Sequence, residues 1–369
     1  MPSSLEPVSL ADFDVGDPLG AGAMARVFEG VHRGSGRPCD IKLLGQATRG
    51  SRELRQRLAR EAVVLASVQS PHVSRLLGYG WEGEQPFLVL ERLEGETLAE
   101  RLRRERVVPA QRLVDLLEQL LVGLRDCHGA SVIHRDVKPA NIFLERAPGA
   151  AEPIVKLIDF GVARLREVAS AGASLTSTHH LIGSVGYMAP EQLEYAKGVG
   201  PAADLYAVGV VLFRCITGRL PFVARNFEAL VRLKKEETAP SLSSLPGVAR
   251  SEPLDEFVAR ALCRDPAARF GSATSMLEAW WRVAATLDPE PLSAEIDVVF
   301  DEEEWESTLA ESFARGFPSG GPSSTTTRSA RTFDADAPTD PLMKRPSDTL
   351  RVVPGALPRA RSSEKPPPA

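Results

Sequence analysis

Between Ser131 and Glu145 the chain reads SVIHRDVKPANIFLE. Val132 and Ile133 lead into His134, Arg135 and Asp136; Lys138, Pro139 and Asn141 follow; the apolar run Ile142, Phe143 and Leu144 then resumes. Apolar, strand-like residues on both sides of a charged loop hold its charges at the mouth of a pocket. An ionised Asp, a Lys and an Asn this close together can take a proton from a hydroxyl, hold a phosphate and hold a metal, which is the set that phosphoryl transfer needs. An ordinary surface loop can carry the same residue types, so the reading depends on partner stretches elsewhere.

Three such stretches are present. Leu19 to Val27 is a turn with glycines at Gly20 and Gly22, placed between two strand-like segments. Glycines let backbone N–H groups approach a phosphate closely, although a plain hairpin would have the same composition. A strand rather than a helix follows, so this is not a dinucleotide fingerprint. Lys42 ends an apolar strand, and Glu61 lies on the next helical segment among apolar neighbours. A half-buried carboxylate requires a cation, which predicts a Lys42–Glu61 pair. Asp159 follows the strand VKLI and precedes Phe160 and the hinge-capable Gly161. A carboxylate there suits a Mg²⁺ ligand that shares its ion with water and substrate oxygens, with Asn141 as the second protein ligand.

Positioning these residues requires a strand-rich first part and a helix-rich second part. Strand patterns run through Phe13–Leu44, with a turn at 34–36, and again over Val73–Gly80 and Pro86–Leu90. Leu54, Leu58, Glu61, Ala62 and Leu65 recur at helical spacing over 51–68. Helices are predicted over 98–104, 113–128, 202–217, 227–235, 253–263 and 274–286, and a short strand over 154–158. The stretch 161–189 is rich in Ser and Thr, and loops of that length in a compact domain are usually functional or mobile. Beyond 288 comes an acidic run, Asp301–Glu304, then a short amphipathic pattern over 305–313. The remainder is low-complexity sequence, expected to stay disordered.

Composition narrows the classes. The 369 residues are 43% hydrophobic and 25% charged, with a formal net charge of -5, which gives no reason to expect nucleic acid as a partner. Cys39, Cys127, Cys215 and Cys263 show no paired spacing, against a disulfide framework or zinc site and in keeping with a reducing compartment. The first residues, MPSSLEPVSLADFD, lack a signal-peptide pattern. No run approaches the roughly 18 apolar residues of a membrane span. A cytoplasmic protein is expected.

In this order and spacing, the stretches resemble a eukaryotic-type (Hanks-type) serine/threonine protein kinase of the kind found in bacteria, without a transmembrane sensor domain. The resemblance covers roughly Phe13 to Thr286. It implies an α+β bilobal fold: a lead over 1–11, a small β-rich lobe with one regulatory helix over 12–93, a larger helical lobe over 94–287, and the tail over 288–369. It implies ATP with Mg²⁺ (or Mn²⁺) and protein substrates with Ser or Thr acceptors. Asp136 would accept the hydroxyl proton and Lys138 would steady the transferred group. Asn141 and Asp159 would hold the metal, and Lys42, oriented by Glu61, the α and β phosphates. Gly20, Gly22 and Val27 would cover the nucleotide; Leu90 would be the gatekeeper, and the backbone of Glu91 and Leu93 would bond adenine. Glu191 would pair with Arg269, Asp204 would cap the catalytic loop, and Leu65, Leu76, His134 and Phe160 would join the lobes. Ser184 takes the small-hydroxyl position of the substrate-docking loop. Thr176 and Thr178 are candidate autophosphorylation sites whose phosphate Arg135 would bind, implying self-association for phosphorylation in trans. A nucleotide-binding pseudokinase scaffold and a small-molecule kinase of related fold are the alternatives.

Two positions depart from the family pattern. Its third loop glycine is Ala25 here, and Asp40 stands where a small apolar residue is usual. Strand alternation places Asp40 on the same face as Lys42, towards the adenine site. A desolvated carboxylate there needs a partner, either the adenine amino group or Lys42.

Overall fold

The structure is a computed structural model that describes residues 6–316 except 23–24, 45–51, 147–148, 150–151, 160–183, 195–198, 288–291 and 294–299. Five antiparallel strands open the fold: β1 (Phe13–Gly22), β2 (Ala25–His32), β3 (Pro38–Leu44), β4 (Leu76–Glu82) and β5 (Gln85–Glu91), in the order β1-β2-β3-β5-β4. Strand alternation divides their side chains between two faces. Cys39 and Ile41 pack with Phe13, Phe87 and Val89 on one face; Leu44 packs with Leu76, Tyr79, Leu88 and Ala62 of helix α1 (Arg52–Ala66) on the other. Asp40 and Lys42, alternating with Cys39 and Ile41, therefore share the α1 face. The turn from β4 to β5 is two residues long because Gly83 accepts a φ of 60°.

The second lobe begins with β6 (Gly95–Thr97) and continues through α2 (Leu98–Glu105), α3 (Ala110–Gly129), β7 (Ile142–Glu145) and β8 (Ile154–Leu157). β6, β7 and β8 form a small sheet that carries the catalytic loop between α3 and β7. Helices α4 (Pro190–Glu194), α5 (Pro201–Thr217), α6 (Phe227–Glu236), α7 (Glu252–Ala261) and α8 (Ala273–Ala284) follow. α5 is buried on every side from Ala203 to Thr217, as a helix apolar all round must be. Pro201 starts it, and Gly218, at φ 68°, ends it with its N–H on the Arg214 carbonyl. Between the lobes, Ser74 N–H donates to the Leu157 carbonyl (2.8 Å) and Leu157 N–H to that of His72 (2.9 Å). Leu65 packs against the cores of both lobes. The bilobal α+β arrangement expected from the sequence is the one observed.

Within the tail, the amphipathic pattern over 305–313 lies in a helix, α9 (Glu302–Gly316), whose Trp305, Leu309 and Ala310 are buried in the core of the second lobe. The physical reason is that its apolar face lies against an existing surface, so it need not build a core alone. Among the described residues, no helix is long and apolar enough to cross a membrane.

Candidate active site

The catalytic loop is fixed from below by α5. The carboxylate of Asp204, 1% exposed, accepts bonds from the backbone N–H of His134 (2.9 Å) and of Arg135 (2.7 Å), and from His128 Nε2 (2.8 Å). This is the cap expected of it. Arg135 is thereby held at φ 67°, a backbone region that costs a non-glycine residue free energy and persists only where surroundings enforce it. Its carbonyl accepts from Gln192 Nε2 (2.9 Å), and His134 Nε2 lies 3.0 Å from the Ile158 carbonyl. The chain on both sides of Asp136 is therefore rigid.

The residues that could do chemistry then interlock. Asn141 Nδ2 donates to the carbonyl (2.7 Å) and to Oδ2 (3.0 Å) of Asp136. Lys138 Nζ stands 3.3 Å from Asp136 Oδ2 and donates to Ser184 Oγ (2.6 Å). Asp159, also at a positive φ of 67°, turns its Oδ1 to Lys42 Nζ at 2.5 Å. Burial works to raise the Asp159 carboxyl, but the Lys42 ammonium, with His134 and Lys138 beyond it, holds it below the usual range. Among the described residues, the fold brings the Asp159 carboxylate to the buried Lys42 ammonium. Asn141 has committed its amide nitrogen to Asp136, so its carbonyl oxygen is the atom it can offer a cation. An amide oxygen and an ionised carboxylate are hard donors that fit Mg²⁺, an ion that takes few protein ligands and keeps water and phosphate oxygens.

Above them lies the ceiling formed by β2, β3 and β5. Val27 pairs with Lys42, and Lys42 with Leu88; two residues along, Glu29 pairs with Asp40, and Asp40 with Leu90. Paired residues share a face, so Val27, Lys42, Asp40 and the expected gatekeeper Leu90 look the same way. Gly20 pairs with Val27, and a Cβ at Gly20 would meet no atom of the described residues within 4 Å. Glu91 Oε1 accepts from Lys156 Nζ (2.7 Å) and from Arg75 N–H (3.0 Å), tying the start of the hinge to both lobes; Leu93 follows.

The partner of Asp40 is neither of the two expected. Arg92 of the hinge bonds Asp40 Oδ1 through Nη1 (2.9 Å) and Glu29 Oε1 through Nη2 (2.5 Å). Burial still raises the Asp40 carboxyl, with Glu29 adding to it and Arg92 opposing. The triad thus carries two carboxylates on one guanidinium at the edge of the adenine side. Asp40→Ala is expected to lower the KM for ATP a few-fold, by removing an anion from a site that takes a polyanion. Arg92→Ala is expected to raise it, because two neighbouring carboxylates then lose their cation. Steady-state kinetics at varied ATP distinguish the two directions, and shifts of the same sign would refute the account.

Farther out, Arg269, buried, forms the expected bidentate pair with Glu191 (2.7 and 2.8 Å). Leu65 packs against both cores, Leu76 lies in the core of the first lobe, and His134 is buried in the catalytic loop. Phe160, Gly161, Thr176 and Thr178 lie outside the described residues. Sequence reasoning missed Arg92, whose partners lie 52 and 63 positions away. It also missed Lys234 of α6, which is fully buried and donates to the carbonyls of Gly186 and Met188 (both 2.7 Å), pinning the docking loop. Burial pushes that ammonium down to about 7. A lysine in a helix gives no sign of such a role in one sequence.

Known proteins resemble this chain in sequence and in fold. Residues 13–281 match the protein kinase domain family. The serine/threonine-protein kinase pkn2 of Myxococcus xanthus is 35% identical over 274 residues, spanning 72% of this chain and 32% of that protein. The serine/threonine-protein kinase PknL of Mycobacterium tuberculosis is 32% identical over 259 residues, spanning 70% of this chain and 62% of that one. The chain thus matches about a third and about three-fifths of the length of these two relatives. Among solved structures, a mutant of the kinase domain of Mycobacterium tuberculosis PknI is similar with a TM-score of 0.57 at 28% identity, covering 75% of this chain and 97% of that one. With the bilobal fold and the matched domain in place, the chain belongs to the protein kinase family.

Proposed function

We propose that this chain is a serine/threonine protein kinase that transfers the γ-phosphoryl group of Mg-ATP to protein hydroxyls. The observation that carries this reading is the interlocked set Asp136, Lys138, Asn141 and Ser184, with the Lys42–Asp159 pair close enough for Lys138 to act on Asp159. In the reaction, the acceptor hydroxyl gives its proton to the Asp136 carboxylate as its oxygen bonds to the γ-phosphorus. The bond from that phosphorus to the β-phosphate oxygen breaks, and ADP leaves with the electron pair. Lys138 neutralises charge on the transferred group and orients the acceptor through Ser184. Lys42 holds the α and β phosphates, with Glu61 as its orienting carboxylate in the nucleotide-bound enzyme. A divalent ion held by Asn141 and Asp159 would supply charge neutralisation at the phosphates. Gly20, Gly22, Val27, Leu90, Glu91 and Leu93 are the nucleotide-binding residues of this reading. Its setting is the cytoplasm.

Activation is assigned to autophosphorylation in trans at Thr176 and Thr178, with Arg135 binding the phosphate. The Thr176→Ala/Thr178→Ala variant is expected to lose activation on preincubation with ATP. A time course indistinguishable from wild type would remove these sites from the account. The activity itself is tested with γ-labelled ATP, Mg²⁺ or Mn²⁺ and a general protein acceptor. Label is expected on Ser and Thr of the acceptor with wild type and not with Asp136→Asn. Equal labelling by the two proteins would refute phosphoryl transfer and favour a nucleotide-binding scaffold.

A further inference from the structure

The matched kinase domain ends at residue 281, yet α9 packs on the second lobe beside the docking loop. Trp305 is buried there, with its indole N–H on the Ala224 carbonyl (2.9 Å). Its ring fills the space over Gly186, where a side chain would meet Leu220 and Trp305. The neighbouring Tyr187 hydroxyl donates to Glu302 Oε1 (2.8 Å). Glu302 Oε2 also faces Arg214 of α5 at 3.5 Å, and the Arg214 guanidinium lies over the Phe300 ring. Glu303 pairs with Arg103 of α2 at 2.8 Å. Glu306 is within electrostatic reach of the same cations: burial and the neighbouring Glu302 raise its carboxyl to about 7, while Lys138 of the catalytic loop, and Arg103, pull it back.

These contacts define one surface with one chemistry. Lys138 links Asp136 to Ser184, so a polypeptide bringing a hydroxyl to Asp136 must cross the docking loop from Ser184 to Met188. The outer side of that loop is where α9 sits, with Trp305 on Gly186 and Glu302 on Tyr187. The surface offers the cations Arg103, Lys138 and Arg214, and α9 presents Glu302, Glu303 and Glu306 to them. Charge complementarity of this kind selects partners and register.

We propose that this surface is the acceptor-protein site, that it takes acidic segments carrying an aromatic residue, and that α9 is its internal occupant, which a substrate must displace. The proposal rests on the phosphoryl-transfer reading and names its substrate class. A tethered occupant competes at an effective concentration that reaches millimolar for a short linker. Weak docking of α9 therefore suffices to hold back substrates that bind in the micromolar range.

The test uses the full chain with two independent releasing variants. Trp305→Ala/Leu309→Ala removes the apolar anchor, and Glu302→Lys/Glu303→Lys reverses the charges without touching it. Both are expected to speed hydrogen exchange over 302–312 and to raise kcat/KM by about tenfold or more for a Ser peptide flanked by Asp, Glu and Trp. The KM for ATP should stay unchanged, and a basic acceptor peptide should gain less. A fluorescent peptide of residues 298–314 should bind the released variants more tightly than wild type and compete with the acceptor. Released helices with unchanged kcat/KM, or a larger gain for the basic peptide, would overturn the acceptor-site assignment. Protected amides in both variants would overturn the docking contacts. Equal peptide binding to wild type and variants would refute α9 as occupant, whatever the catalysis. If no variant transfers label to any acceptor while the peptide still binds the released surface, the phosphoryl-transfer reading fails, and the acceptor role with it.

Discussion

Asp136→Asn is expected to slow phosphoryl transfer by about 10²–10⁴-fold, or roughly 3–5 kcal/mol of transition-state free energy. The substitution conserves volume, and the surroundings can absorb it. Its amide oxygen can still accept the bond from Asn141 Nδ2, now made to Asp136 Oδ2 at 3.0 Å. Lys138 keeps its bond to Ser184. What disappears is the charge that takes the acceptor proton. The loss should therefore fall on kcat, with the KM for ATP and the unfolding midpoint nearly unchanged, because no nucleotide contact and no buried packing is altered. Single-turnover transfer from labelled ATP measures this directly. A residual rate within tenfold of wild type would mean that proton removal at this position contributes little, and another base would have to be found.

How much of this was legible depended on sequence separation. The catalytic loop could be read because Asp136, Lys138 and Asn141 are neighbours in the chain, and their chemistry follows from type and spacing. The ceiling could be read in part. Alternation placed Asp40 on the Lys42 face, which the strand register bears out. The identity of its partner could not be read, since Arg92 reaches it only because β5, which Arg92 follows, lies beside β3. For Glu61, a helical position among apolar residues shows that a carboxylate needs a cation, not which way the helix turns it. The Asp159 turn, with its left-handed backbone, decided which carboxylate met Lys42. In the tail, composition and local pattern pointed in opposite directions. The acidic run indicated disorder and the Trp305–Phe313 pattern an amphipathic helix. Tertiary burial settled the matter for the helix, because a surface for its apolar face already existed on the second lobe. Single-sequence periodicity reports a face, never what covers it.

Asp204→Ala is expected to cost about 3–5 kcal/mol of stability and to lower kcat by roughly 10²-fold without any contact between Asp204 and substrate. Both effects have one cause. The carboxylate satisfies two buried backbone N–H groups and a histidine at once. An alanine leaves all three donors without an acceptor, and each orphaned buried donor costs about 1–3 kcal/mol. The same bonds hold Arg135 at φ 67°. Once they are gone, the residue before Asp136 relaxes towards ordinary backbone, and displacement by an ångström suffices to misalign the reacting groups. Asp204→Asn should fall between wild type and Ala, since one oxygen still accepts while the amide nitrogen opposes a second N–H. Denaturant unfolding and kcat measured on the three proteins should therefore rank wild type, Asn, Ala in both readouts. An alanine variant within about 1 kcal/mol of wild-type stability and with normal kcat would show that the loop holds its strained turn unaided. Normal stability with low kcat would show instead that the bonds serve position alone.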